Sequence, residues 1–364
     1  MMGMSKSGKI LWKQVKPSEE KWMSGKIKNN MSFSIFTAYP RGYCAWVHRA
    51  VGMLMEVVAM HPAPIYVNHE IIHNTFVVKM FERKGVIFEP DLEKIPENSL
   101  VVISAHGTWP SYFAKLRERK MRWIDATCPL VEKVHREARD FIAKGYHILY
   151  IGKKWHQEAT WVMDEGEKYF TLIEKEEDLD SFCHIDDRRY PALQDDESSK
   201  ISPDGRNDGT WKTSLALLTQ TTLSVDDTAS LIAKIQERFP DIVLPKAGDI
   251  CYATTNRQKA VKVLAERVDV VLVVGSKNSS NSSKLRHVAE EMGKRAYLIN
   301  SREDIDRVWF EWISSVGVTA WASGPEELVD DVVKYLEDLG WVFAEELRVV
   351  EERVEFPYTL KIQQ

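Results

Sequence analysis

The 364-residue sequence predicts an α/β protein of three pseudo-threefold-related units, each with parallel strands, gathered around one site. Two observations carry that expectation. Short apolar strand-like runs alternate with amphipathic helical segments, and one order of cysteine, helix, strand and polar loop occurs three times. A third bounds it: 44% hydrophobic and 28% charged residues describe an ordinary globular chain, too long for one small core.

The first unit (33–127) begins its pattern at Cys44, before a helical face of Ala50, Val51, Leu54, Val57 and Val58. The strand Ile65-Tyr66-Val67 follows and ends in Asn68-His69. A second strand, Val101 to Ile103, runs into Ser104-Ala105-His106-Gly107. In the second unit (128–247), Cys128 precedes Pro129, a residue suited to the first turn of a helix. Leu130, Val131, Val134, Ala138, Phe141 and Ile142 mark its apolar face, and Gly145 is placed to end it. The strand His147 to Ile151 leads to His156 and Glu158, and the strand Leu215 to Leu218 leads to Thr219-Gln220-Thr221-Thr222. Cys251 opens the third unit (248–345), with Ala260, Val261 and Leu264 on its helix. The strand Val270 to Val274 enters Gly275-Ser276-Lys277-Asn278-Ser279-Ser280-Asn281, and Val316 to Thr319 precedes Ser323. The first polar loops follow their cysteines by 25, 28 and 28 residues. Ligands of such sheets lie beyond the carboxyl ends of the strands, where these loops fall.

The rest of the chain is read as accessory. Residues 1–32 form a basic extension, with seven Lys and no Asp or Arg before Met31 and no apolar core of a secretory signal. An acidic, turn-rich stretch at about 176–210 is expected to be a surface loop, and 346–364 a C-terminal tail. The net charge of −5 gives no general attraction to nucleic acid, and no apolar run reaches the roughly 20 residues that span a bilayer. A cytoplasmic protein is the expectation.

One cysteine per unit, converging on an axis, would make a three-thiolate metal site. Zinc and an iron–sulfur cluster both suit thiolates, whereas buried inert thiols need no metal. Structural zinc usually takes four ligands from close Cys pairs, and no CxxC occurs here. A three-Cys [4Fe–4S] cluster would leave one iron open to substrate. Cys183 follows no repeat. His69, His106 and His156, with Ser279-Ser280-Asn281 before a helix, suggest a pocket for a phosphate or diphosphate. Glu158 is the one carboxylate of these loops placed to donate a proton, a role that requires burial.

Pro40-Arg41-Gly42-Tyr43-Cys44, Asp125-Ala126-Thr127-Cys128-Pro129-Leu130-Val131, Thr219-Gln220-Thr221-Thr222-Leu223-Ser224, Asp249-Ile250-Cys251-Tyr252-Ala253-Thr254-Thr255-Asn256-Arg257-Gln258 and Val274 to Asn281 together resemble the LytB/IspH family of 4-hydroxy-3-methylbut-2-enyl diphosphate reductases. The resemblance covers about residues 33–345. It implies a trefoil of three α/β domains around a [4Fe–4S] cluster held by Cys44, Cys128 and Cys251. It also implies diphosphate binding by His69, His106, His156, Ser279, Ser280, Asn281 and Ser323, with Thr221, His156 and Glu158 at the reacting hydroxyl. Reduced ferredoxin or flavodoxin would supply two electrons, and the products would be isopentenyl and dimethylallyl diphosphate.

The departures from that resemblance are mostly tryptophan. The chain has 12 Trp against 13 Phe, and Trp46, Trp155, Trp161 and Trp321 stand where family members usually have Gly, Trp109 where they have Ser. His48 replaces an Asp and Gln157 a Pro. These rings are expected to thicken the packing around an intact site. The alternatives are a pocket relined for another allylic or aromatic substrate, and a non-catalytic iron–sulfur redox protein.

Overall fold

A computed structural model describes residues 33–183, 214–276, 280–356 and 360–364, without the side chains of Cys183 and Ser280. Ser279, the N-terminal extension and most of the acidic stretch lie outside the described residues.

Twelve strands among the described residues form three sheets, and every strand pair within them is parallel. One sheet has the order β3-β2-β4-β5, from Ile65–Val67 (β2), Val86–Phe88 (β3), Leu100–Ile103 (β4) and Arg122–Asp125 (β5). A second has the order β7-β6-β8, from His147–Ile151 (β6), Phe170–Ile173 (β7) and Leu215–Thr219 (β8). The third has the order β10-β9-β11-β1-β12, from Val270–Val274 (β9), Arg295–Ile299 (β10), Ser315–Ala320 (β11), Val342–Arg348 (β12) and Ser34–Tyr39 (β1). The strands β4, β6, β8 and β9 are buried at every position, which is why they read as unbroken apolar runs rather than alternating ones.

Each cysteine occupies the position just before a helix, and two of the three cap it with the thiol. Helix α1 (Ala45–Met60) begins after Cys44, whose Sγ accepts Val47 N–H at 3.4 Å. The helix Pro129–Ala143 begins after Cys128 without a side-chain cap bond and with Pro129 in its first turn, whereas Tyr252–Arg267 begins after Cys251 as α1 does after Cys44, the Cys251 Sγ accepting Thr254 N–H at 3.3 Å. Gly145, at φ +77°, ends the chain's turn out of the second of these helices.

Two sequence expectations are corrected. Residues 34–39, counted with the first unit, form β1, which pairs with β11 and β12 of the third sheet, a non-local pairing that no local pattern encodes. The acidic loop does not begin at about 176. Glu177–Cys183 is a helix, whose first turn carries Glu177, Asp178 and Asp180 where the helix dipole favours negative charge, and whose Leu179 and Phe182 are buried.

Candidate active site

The three cysteines are joined to the sheets by one repeated hydrogen bond. Cys128 N–H donates to Ala105 O at 2.9 Å, Cys251 N–H to Thr221 O at 2.9 Å and Cys44 N–H to Ala322 O at 3.3 Å. Each acceptor lies two residues beyond the carboxyl end of a strand: β4, β8 and β11. The bonds run cyclically, so each cysteine is tied to a strand of a different sheet-forming unit, and the ring closes from the last unit back to Cys44. All three thiols are free. Burial raises the Cys44 and Cys128 thiols and pushes that of Cys251 up to about 11, and the charges of Cys44 and Cys251 raise Cys128 further. Mutual repulsion of this kind arises because the three thiols are near one another. A positive metal centre relieves it, so the donor set fits a thiolate-held cluster.

Glu158 is next to this ring. It is 3% exposed in the helix Gln157–Met163, and its carboxylate accepts Thr221 N–H at 2.6 Å and Thr221 Oγ1–H at 2.9 Å. Burial pushes its carboxyl up to about 7, against the bonds from Thr221 that pull it down. Thr221 O in turn accepts Cys251 N–H, and Thr254 Oγ1, itself 3.0 Å from Cys251 Sγ, lies 3.3 Å from the same carbonyl. One residue therefore fixes the buried acid against the thiol ring.

The histidines form a second cluster, joined to the acid through His156, whose Nδ1 accepts Glu158 N–H at 3.3 Å. His106 stacks on His73 with ring centroids 4.0 Å apart, and His69 and His156 meet His73 edge-on at 5.9 and 6.2 Å. His69 and His106 are held together by Asn68, which donates to Gly107 O at 3.2 Å and accepts Ser104 N–H at 2.8 Å. Burial lowers His69 and His106 and pushes His156 down to about 4, and the charge on His73 lowers all three. His73 Nδ1 is 3.1 Å from Glu70, whose carboxylate is lowered in return. His106 Nδ1 and Gln157 Oε1 are buried without a hydrogen-bond partner among the described residues.

His73, Glu70 and Gln157 are site residues that the sequence reading did not name. His73 lies four residues after His69, a spacing that looks like one helical face, but 69–74 is a loop anchored by buried Ile71 and Ile72. Gln157 was noted only as a departure. Its Nε2 contacts His69 Nε2, so His69 spends that nitrogen on a neighbour while His73 takes the centre of the cluster. Ser323 joins the cluster by donating to His73 O at 3.1 Å. With its amide nitrogen toward Thr222, Asn281 donates to Thr222 O and Oγ1, each at 3.2 Å, and accepts Trp321 Nε1–H at 3.2 Å.

The five tryptophans divide. Trp161 and Trp321 are each 2% exposed. Trp161 packs on Trp109 at 5.3 Å and edge-on to His69 at 6.2 Å, behind the histidines. Trp46 donates to Ala126 O at 2.9 Å and meets Phe356 edge-on at 5.1 Å. Trp155 is 85% exposed at φ +65°, the left-handed region that glycine occupies freely. Four rings are thus absorbed by packing around the site.

A family model described as LytB protein matches residues 35–337. A protein of Aromatoleum aromaticum named 4-hydroxy-3-methylbut-2-enyl diphosphate reductase is 44% identical over 329 residues, 90% of this chain and 97% of its own. One of the same name from Psychromonas ingrahamii is 43% identical over 335 residues, 91% and 99% of the two chains. The solved structure of the E-1-hydroxy-2-methyl-but-2-enyl-4-diphosphate reductase from Plasmodium falciparum superposes with a TM-score of 0.79 at 31% identity, covering 90% of this chain and 96% of that one. A second reductase structure, described as the terminal enzyme of the non-mevalonate pathway, gives a TM-score of 0.57 at 27% identity, over 84% and 99%.

Proposed function

The chain belongs to the LytB family, and we propose that it catalyses the reaction for which its relatives are named, at the site just described. The substrate is 4-hydroxy-3-methylbut-2-enyl diphosphate. Its C–OH bond breaks, two electrons and two protons are taken up, and the products are water and isopentenyl or dimethylallyl diphosphate. Cys44, Cys128 and Cys251 would hold a [4Fe–4S] cluster, which supplies the electrons and Lewis acidity when bound. Reduced ferredoxin or flavodoxin is the proposed donor.

The observation that carries the reading is Glu158. A carboxyl that titrates near 7 is half protonated at neutral pH, and its hydrogen bonds aim it through Thr221 at the thiol ring. It gives its proton to the departing hydroxyl, which leaves as water, while the second proton goes to carbon. Thr221 Oγ1 holds the hydroxyl against Glu158. His73, His106 and His156 meet the diphosphate, with Asn281 and Ser323 contributed by the third unit, and Ser279 and Ser280 are assigned to it by the resemblance alone. His106 Nδ1 provides a buried donor that no protein group uses among the described residues. His69, bound to Gln157, shapes the loop.

The relined-pocket and non-catalytic alternatives are not favoured. The relatives share one reaction name over nearly the whole chain, and most of the new rings are occupied by packing. The test is an anaerobic assay of reconstituted protein with a strong artificial reductant, with iron and sulfide counted on the same sample. Turnover at an ordinary enzymatic rate, on the order of 1 s⁻¹ or more, is expected. A full cluster without turnover would overturn the assignment.

A further inference from the structure

Trp321 lies where the two halves of the site meet. Its flanking carbonyls serve the Cys44 loop: Ala320 O accepts Gly42 N–H at 3.2 Å and Ala322 O accepts Cys44 N–H at 3.3 Å. Its own carbonyl accepts Gly324 N–H at 2.8 Å, closing the turn that presents Ser323. The indole is buried in the cluster that includes Leu285, Val288 and Ala289 of the helix Ser280–Glu291. With the Asn281 amide turned so that its nitrogen faces Thr222, its oxygen, at the start of that helix, accepts the indole Nε1–H at 3.2 Å.

A glycine at 321 could make neither the packing nor the bond. An amide whose oxygen is engaged by an indole donor, and whose nitrogen is held at Thr222, has one orientation rather than two. We infer that Trp321 is a positioning residue for the anion pocket: it orients Asn281 so that the pocket is set before a diphosphate arrives. The inference rests on the reading of Asn281 as a diphosphate ligand. It gives one of the tryptophan departures a role in affinity rather than in chemistry.

The test is a double-mutant cycle on the cluster-loaded enzyme, with W321F, N281A and the double variant, reading KM, kcat and the Kd of inorganic pyrophosphate. Phe keeps most of the ring and removes the N–H. The expected result is a KM and a Kd about five-fold higher in W321F, the worth of one neutral hydrogen bond, with kcat unchanged. In the N281A background, W321F should have no further effect. An unchanged Kd in W321F, or an effect of equal size in both backgrounds, overturns the inference and leaves the anion pocket standing. An N281A variant that binds pyrophosphate as the parent does overturns the reading of Asn281 and the inference with it. A second measurement is independent of cluster loading. In ¹⁵N-tryptophan-labelled protein, N281A should shift one indole N–H resonance, the one that W321F removes; no shift overturns the inference.

Discussion

The acid end and the anion end of this site are built by opposite rules. Around Glu158 every polar partner is a protein group: both carboxylate contacts go to Thr221, and the Thr221 carbonyl is shared by Cys251 and Thr254. Around the histidines, buried nitrogens and oxygens are left over, with His106 Nδ1 and Gln157 Oε1 facing no partner among the described residues. A closed network holds a proton at a chosen pKa and a fixed place. An under-satisfied one has binding capacity in reserve, because a ligand that satisfies it recovers a desolvation cost already incurred. The reacting end uses its bonds on itself, and the histidine face of the binding end keeps bonding capacity for a ligand.

Substitutions should separate the two ends in order of size. Cys128→Ser removes one thiolate of the ring, and the expectation is loss of the cluster's visible absorption and of all turnover; an unchanged spectrum removes Cys128 from the ligand set. Glu158→Gln should lower kcat about 10²- to 10⁴-fold while leaving the Kd of pyrophosphate unchanged, as expected for a proton donor with no part in holding the anion. An equal loss of pyrophosphate affinity would erase the distinction between the ends. His106→Ala is the converse. It should weaken pyrophosphate about 10-fold or more, the worth of a hydrogen bond to a charged group, while the thermal midpoint falls because the ring stacked on His73 is lost.

The pH dependence has opposite signs at the two ends. Glu158 is raised, so the folded protein keeps a proton that the unfolded chain has released. Its protonated form is lost as pH rises through about 7, and kcat should fall along that limb. A profile still falling at the same pH in Glu158→Gln would assign the limb to another group. His156 is lowered to about 4, so its neutral form adds stability as pH rises from there to about 6.5, where the unfolded histidine has given up its proton. The smallest effect is expected at Trp155. Its positive φ costs about 1 kcal/mol, which Trp155→Gly relieves while loosening the unfolded chain by a similar amount. A midpoint within about 2 °C of the parent is expected by calorimetry.

Much of this was legible in the chain. Each cysteine announces itself by preceding a helix: at Cys44 and Cys251 the thiol caps the N-terminus, and at Cys128 the following proline marks the first turn. The fully buried strands announce themselves by lacking polar positions. What stayed hidden has physical causes. The strand β12 is mostly exposed and polar, so its sequence, VFAEELR, carries no apolar alternation to a core. β1 is placed by partners at the far end of the chain. His73 was passed over because spacing fixes a side chain's direction only inside regular structure. The tryptophans could be counted but not placed: whether a ring fills a core, as Trp161 does, or stands in solvent, as Trp155 does, depends on neighbours distant in sequence.

The ring of cysteine bonds also sets an order in time. Cys44 and β1 leave the ribosome early, yet β11, which gives Cys44 its carbonyl and β1 its partner, is made about 275 residues later. At roughly 5–20 residues per second, the first cysteine waits about a quarter of a minute to a minute for its place. The other two joints can form as soon as their own neighbouring units are made, whereas the third waits for β11. A metal centre held by all three cysteines therefore also waits for β11.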